Sequence, residues 1–242
     1  MEIDFLPLFA SNVFITKLDI DVTLLKEKSH EAIKAYQYET EKNIQQSIQV
    51  LDSIPAIRES LLEVFKVINL EFFKYRTGEN GNDWKITTSW ITKTNCDQDS
   101  QLHNHRNSFY SGVFYYGEYD DDAAKFEIST PLQYHGSYKM ETDYDYHGKT
   151  PLETAESWLI PPEHQRLILF PSYLMHKVAM HRSQKPRESL AFNIVPVPPY
   201  GRGDSQILDL EIDDSYSLRS PKNEHVRHND PITEGPKQSE QI

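Results

Sequence analysis

His103-Asn104-His105, a distant His176 and the triplet Arg187-Glu188-Ser189 are the residues of this chain whose types and spacing could do chemistry. Two histidines one residue apart on an extended segment point to the same side, because side chains alternate along a strand. A third imidazole alongside them would give three ligands on one face of a ferrous ion, with the other positions open. Arginine offers a planar fork that grips a carboxylate through paired hydrogen bonds. Ser189, two residues on, shares the face of Arg187 and adds a hydroxyl. Ala191 and Asn193 continue that face. A metal that chelates a 2-oxo acid, with a cationic clamp for a second carboxylate, is the chemistry these residues point to. Iron(II), 2-oxoglutarate and O2 are the expected participants.

Tyr115 is a further candidate. It follows the metal pair along the next extended segment, in phase with Ser111 and Val113, so its phenol could reach the far carboxylate. An ordinary strand tyrosine is the competing reading. The alternatives for Arg187 and Ser189 are a surface ion pair and a small space-filling residue. His30, His135, His147, His164, His181, His225 and His228 are read as surface or satisfied core residues. Of these, His135 and His147 could face a substrate.

The elements that must position these groups follow from periodicity. Residues 1–22, with Phe5, Leu8, Phe9, Val13, Phe14 and Ile15, read as an opening strand broken at Pro7. A helix is expected from Thr23 to about Tyr38, with Leu24, Leu25, Ala32 and Ile33 inward. A second runs from Pro55 to about Tyr75, its apolar face built from Ile57, Leu61, Val64, Phe65, Ile68 and Phe72. Proline suits the first helical turn. Beyond Gly81 the texture changes to short strands: Trp84–Thr94, Ser108–Tyr116, Lys125–Ser129, Glu156–Ile160, Arg166–Phe170, His176–Met180 and Arg187–Val197. Short strands with polar turns and no interleaved helices predict a mainly β antiparallel sandwich or barrel, with the N-terminal helices packed outside. Residues 1–200 are expected to form one domain, 1–80 the N-terminal strand and helices and 81–200 the β core. Residues 201–242 read as a polar, largely disordered tail.

Bulk properties narrow the function further. A net charge of −12 disfavours phosphate backbones and argues against nucleic acid as a partner. Between Gly117 and His147 there are eight acids against two lysines, which would favour a basic or neutral substrate if this stretch borders the site. A single cysteine, Cys96, excludes an intrachain disulfide and fits a cytoplasmic setting. No apolar run approaches the roughly 20 residues that cross a bilayer, and the first residues carry no leader pattern.

Three segments together carry a resemblance. His103-Asn104-His105-Arg106-Asn107-Ser108-Phe109-Tyr110-Ser111-Gly112-Val113-Phe114-Tyr115-Tyr116 is one; Leu169-Phe170-Pro171-Ser172-Tyr173-Leu174-Met175-His176 is another; Arg187-Glu188-Ser189-Leu190-Ala191-Phe192-Asn193 is the third. This pattern resembles a branch of the 2-oxoglutarate/Fe(II)-dependent oxygenases found widely in marine bacteria and their phages, similar in design to prolyl hydroxylases. The resemblance spans about residues 1–200. It implies a double-stranded β-helix (jelly-roll) core, iron at His103, His105 and His176, and 2-oxoglutarate at Arg187 with Ser189 and Tyr115 assisting. It implies a dioxygenase acting on a C–H bond of a peptide, amino-acid-like or other small substrate, located in the cytoplasm or, if phage-encoded, that of the host. Oligomeric state is left open, a homodimer being one option.

One departure matters. A histidine stands at 105 where the wider superfamily has a carboxylate, which adds one unit of positive charge to the site. Alternatively the pair is His105-x-Asn107, with Asn107 or water as a weak third ligand, and Asp97 and Asp99 lie near enough in sequence to contribute. His105 is the preferred assignment. Competing functions are a cupin-type metal dioxygenase or isomerase without a 2-oxo acid, and a non-catalytic jelly-roll binding module. A cupin usually adds a glutamate about four residues beyond the pair, where this chain has Phe109, and would leave Arg187 and Ser189 without a role. A nucleic-acid demethylase of the same superfamily is disfavoured by the acidity and the absence of a basic stripe.

Overall fold

Each helix is set by an apolar stripe that a sheet covers. In the computed structural model, residues 10–35, 44–46, 49–131, 155 and 157–201 are described, without the side chains of 31–35 and 44–46. Helix α1, Thr23–Ala35, buries Leu25 and Ser29 together with the preceding Val22. Leu24 was expected inward but is exposed, because Val22, Leu25 and Ser29 already occupy the three-to-four-residue stripe. The side chains of Ala32 and Ile33 lie outside the description. Helix α2, Pro55–Ile68, starts on its proline and buries Ile57, Leu61, Leu62, Phe65 and Ile68. It continues as a π-helical turn, Asn69–Phe73, which breaks the 3.6-residue phase. Phe72, expected on the inner face, is therefore 66 % exposed.

The strands form two antiparallel sheets. In chain order they are β1 (Phe14–Lys17), β2 (Ile44–Gln46), β3 (Trp84–Thr94), β4 (Tyr110–Phe114), β5 (Phe126–Ser129), β6 (Ser157–Ile160), β7 (Arg166–Pro171), β8 (His176–Val178) and β9 (Arg187–Pro196). The larger sheet has the order β1-β7-β4-β9-β3-β2 and the smaller β6-β5-β8. A bridge between His103 and His176 adds the first metal-pair residue to the edge of the smaller sheet. This is a mainly β antiparallel architecture with few helices, as expected. The short β2 was not anticipated. Of the expected opening strand and first helix, residues 1–9 and 36–38 lie outside the described residues. So do most of the acidic 117–147 stretch, including Tyr134, Tyr138, Tyr144, Tyr146, His135 and His147, and the tail beyond Gly201. Among the described residues no helix is long and apolar enough to cross a membrane.

Alternation divides the larger sheet's two faces between two cores. Tyr110, Phe114, Leu167, Leu169, Leu190, Phe192 and Ile194 pack with the helices. Val113, Tyr115, Ile168 and Phe170 pack with Phe126, Ile128 and Ile160 of the smaller sheet. On β9, Arg187, Ser189, Ala191 and Asn193 thus share the side that faces the smaller sheet. In β3 the pairing with β9 slips between Ile86 and Thr88, a bulge at Thr87. Before it, Trp84 and Ile86 face the helices; after it, Ser89 and Ile91 do.

Gly112 shows how tightly the helix side is packed. A Cβ at this position would lie 2.2 Å from Cζ of Phe192, its partner across the ladder, whose ring is fully buried. Gly112→Ala is expected to destabilise the protein by about 1–3 kcal/mol, the usual cost of overpacking. Urea unfolding measures this, and Phe192→Leu in the same chain should recover part of the loss.

Candidate metal and co-substrate centre

Backbone pairing brings the three histidines together. The His103 amide donates to the His176 carbonyl at 2.9 Å and the His176 amide to the His103 carbonyl at 2.8 Å. The His105 amide donates to Ser172 O at 3.0 Å, which ties the second residue of the pair to the turn before β8. One ring nitrogen from each of His103, His105 and His176 lies within 4.8 Å of the others. Ring centroids are 4.4 Å apart for His103 and His176, 4.9 Å for His105 and His176, and 5.1 Å for His103 and His105. Among the described residues no carboxylate joins the cluster. Asp97 instead pairs with Arg182 on the surface. Asn107 is exposed at a turn with φ 61°.

Hydrogen bonds set the tautomers. His103 Nδ1–H donates to Gln101 O at 2.8 Å, and His176 Nδ1–H donates to Leu174 O at 2.9 Å. A carbonyl only accepts, so Nδ1 carries the proton and the Nε2 lone pair is free for a metal. His105 packs edge-on to Trp90 at 5.4 Å. His176 is enclosed by Phe126 and Phe170, at 5.4 and 4.8 Å. Burial, with a smaller contribution from the neighbouring imidazoles, pushes the His176 imidazole down to about 3 and that of His105 to about 4. These two rings are neutral at pH 7, the form that binds metal.

These shifts make stability depend on pH. The unfolded chain takes up protons near 6.5, while the folded rings resist until about 4 and 3, so protons bind preferentially to the unfolded state between those values. The metal-free protein should therefore lose stability as pH falls from about 7 towards 4. Urea midpoints at pH 7.5 and 5.0 test this, and the slope should flatten in a His105→Gln, His176→Gln double variant.

The second half of the site lies on β9 and β4. Arg187 is 1 % exposed. Its Nε donates to Ala124 O at 3.0 Å, Nη2 to the Tyr115 hydroxyl at 2.7 Å, and Nη1 to Ser189 Oγ at 3.5 Å. The guanidinium carbon also lies 4.9 Å from the Tyr115 ring centre. Burial holds the Tyr115 phenol above its usual range, against the opposing pull of Arg187, so it is protonated and keeps its O–H to donate. Among the described residues Arg187 has no carboxylate partner. A buried guanidinium without a counter-anion is costly, and the unspent N–H and O–H donors around it match a carboxylate.

One apolar layer links the two halves. Tyr115 packs in the same cluster as Phe126 and Phe170, whose rings enclose His176. A polar chain runs along the inner wall: Ser111 and Ser172 hydroxyls at 2.8 Å, Ser111 to Asn193 Oδ1 at 2.8 Å, and Asn193 Nδ2 to Thr88 Oγ1 at 2.8 Å. The structure thus gathers His103, His105 and His176 in one cluster and Arg187, Ser189 and Tyr115 in another. Trp90, the Ala124 carbonyl and His181 beside it were not singled out. Trp90 had a detectable signal, since it shares strand phase with Thr88 and Thr92; Ala124 had none.

Residues 88–193 match the family described as "Putative 2OG-Fe(II) oxygenase". This core is that of a 2-oxoglutarate-dependent iron dioxygenase. Iron(II) and 2-oxoglutarate are the metal and co-substrate of the dioxygenase, an oxidoreductase. No curated protein matches the sequence. Among solved structures, a 2OG-Fe(II) oxygenase family oxidoreductase from Burkholderia pseudomallei aligns at 11 % identity and TM-score 0.51, covering 75 % of this chain and 83 % of its own. The dioxygenase thus shares that protein's fold. A prolyl-4-hydroxylase from Pseudomonas putida aligns at 12 % identity and TM-score 0.49, covering 76 % and 92 %. HygX from Streptomyces hygroscopicus with nickel and 2-oxoglutarate bound aligns at 9 % identity and TM-score 0.49, covering 77 % and 83 %.

Proposed function

We propose that the protein hydroxylates a C–H bond of a peptide or amino-acid-like substrate, with iron(II) held by His103, His105 and His176 and 2-oxoglutarate anchored by Arg187, Ser189 and Tyr115 in a double-stranded β-helix core. The observation that carries this reading is the buried Arg187 fork. It has no acidic partner among the described residues, and the Tyr115 it bonds packs in one cluster with Phe126 and Phe170, whose rings enclose His176 of the three-imidazole group. Iron(II) with 2-oxoglutarate supplies oxygen activation: one oxygen atom enters the substrate C–H bond, the other enters succinate, and carbon dioxide leaves.

The chain's own residues make that chemistry selective. Gln101 O and Leu174 O hold the His103 and His176 rings with Nε2 forward. Phe126 and Phe170 keep water from the His176 side, where a dry wall strengthens every polar contact. Tyr115 and Ser189 offer O–H donors beside the guanidinium, so a dicarboxylate is bound end-on with its length measured from Arg187. Three neutral imidazoles leave the ion's full charge uncompensated by the protein. A dianionic co-substrate then balances it, which ties metal and 2-oxoglutarate binding together.

The peptide preference rests on the resemblance of the sequence motifs to prolyl hydroxylases. A succinate-release screen across peptides and free amino acids, with mass spectrometry for a gain of one oxygen, tests the reading. Coupled succinate and an oxygenated product are expected. A protein that binds no iron and releases no succinate would be a binding module instead, and iron-dependent turnover without 2-oxoglutarate would make it cupin-like.

A further inference from the structure

Arg187 is aimed by a backbone carbonyl, and the residue that carries it is held by a histidine outside the metal cluster. The guanidinium Nε donates to the Ala124 carbonyl at 3.0 Å. The Ala124 amide, on the other side of the same Cα, donates to His181 Nδ1 at 3.0 Å. Ala124 lies on a strap leading into β5 rather than in a strand. Further bonds tie the strap to the segment after β8: the Ala179 amide to Lys125 O at 3.1 Å, the Arg182 amide to Asp122 O at 3.4 Å, and Ser183 Oγ to the Asp120 carboxylate at 2.7 Å. His181 is fully buried, and its Nε2–H donates to Lys185 O at 2.8 Å. Its own amide donates to Gln98 O at 2.8 Å, and its carbonyl accepts from the Asp97 amide at 2.8 Å.

Both ring nitrogens of His181 are therefore spent on backbone. The Ala124 amide needs a lone pair on Nδ1, and the Lys185 carbonyl needs a proton on Nε2, so the ring is one neutral tautomer. That tautomer is the reverse of those of His103 and His176, whose protons sit on Nδ1. A side chain that accepts at one end and donates at the other, across a rigid ring, spans the strap and the 181–185 turn in a fixed geometry. An apolar residue would leave a buried N–H and a buried C=O unpaired.

We propose that His181 is a positioning residue for 2-oxoglutarate. By holding Ala124, it fixes the carbonyl that orients Arg187 and so sets how the guanidinium meets the distal carboxylate. The proposal rests on reading Arg187 as the co-substrate anchor, and it concerns affinity for 2-oxoglutarate, not the metal.

The test uses the full chain, anaerobically loaded with Fe(II) and titrated with 2-oxoglutarate, alongside backbone hydrogen exchange of the metal-free protein. His181→Leu should weaken 2-oxoglutarate binding roughly ten-fold, in line with a buried hydrogen-bond pair left unmade. Fe(II) affinity should change less than about two-fold, and exchange at the Ala124 amide should accelerate. His181→Gln, which keeps a donor and an acceptor, should recover part of the affinity. Should His181→Leu fail to fold, the same ordering of wild type above His181→Gln, with faster Ala124 exchange, carries the test. In an Arg187→Ala background the His181 substitution should add almost nothing, because its effect passes through the guanidinium. An undiminished effect in that background, or unchanged 2-oxoglutarate affinity in both His181 variants, would overturn the role of His181 alone. If Arg187→Ala itself leaves 2-oxoglutarate affinity intact, the anchor assignment falls and this inference with it.

Discussion

Arg187→Met should severely weaken 2-oxoglutarate binding while costing the ligand-free protein little stability. The two halves of that result have different origins. A carboxylate that loses its buried, hydrogen-bonded cation gives up about 2–5 kcal/mol, a weakening of roughly thirty-fold to several thousand-fold. Methionine of similar length fills the volume, and it removes a buried charge that has no acidic partner among the described residues. Replacing a buried charge by a well-packed apolar group is often neutral or stabilising. Against that stand the Ala124 carbonyl and the Tyr115 hydroxyl, which lose a donor. Anaerobic titration of the Fe(II)-loaded protein, read by its metal-to-ligand charge-transfer band, measures the first half, and thermal unfolding of the metal-free protein the second. A variant that kept the band at wild-type 2-oxoglutarate concentrations would refute the clamp. One that unfolded cooperatively at much lower temperature would show that Arg187 serves the fold.

His176→Ala is expected to cost more in metal binding than either of the other two histidine substitutions. Outer-shell changes typically lower metal affinity about 10–100-fold, and loss of a ligand should exceed that. His176 is the most enclosed of the three, 4 % exposed, between Phe126 and Phe170. The Phe126 and Phe170 rings leave little room for a substitute ligand on that side, whereas exposed His103 has solvent beside it. The expected order of Fe(II) affinity is wild type, then His103→Ala, then His176→Ala, measured by competition with a chromophoric chelator. Equal affinity in wild type and His176→Ala would remove His176 from the ligand set.

Strand parity made part of the centre readable from the amino-acid order. His103 and His105 are two apart, as are Arg187 and Ser189, and an extended backbone presents such pairs to one side whatever the tertiary structure. Tyr115 followed from its phase with Ser111 and Val113. Periodicity also has a defined failure. Phe72 fits a helical stripe extrapolated from α2, but the π-helical turn resets the count and turns it outward. Leu24 fits the apolar count of α1, yet one helix face holds only so many residues. His181 illustrates a different blindness. Its role depends on a contact with Ala124, 57 residues earlier, in a strap that carries no motif. Nothing in residue type distinguishes a histidine that spends both nitrogens on backbone from one that sits on the surface. The same limit leaves the third ligand position open in the sequence between His105, Asn107 and nearby acids, because the three rings come together only in the fold.

The slip at Thr87 carries a consequence for how this wall could change over time. Trp90, which braces His105, lies downstream of the extra residue, as does Thr88, which ends the polar chain from Ser172. Were that extra residue drawn into the ladder opposite Asn193, the two sides of β3 beyond it would swap, sending the indole into the helix layer and Ile91 towards the imidazole cluster. Point substitutions along this stretch can be absorbed one at a time. A gain or loss of one residue elsewhere in the strand cannot, so the chain between Trp84 and Thr94 should tolerate new letters but no gap except at the slip itself.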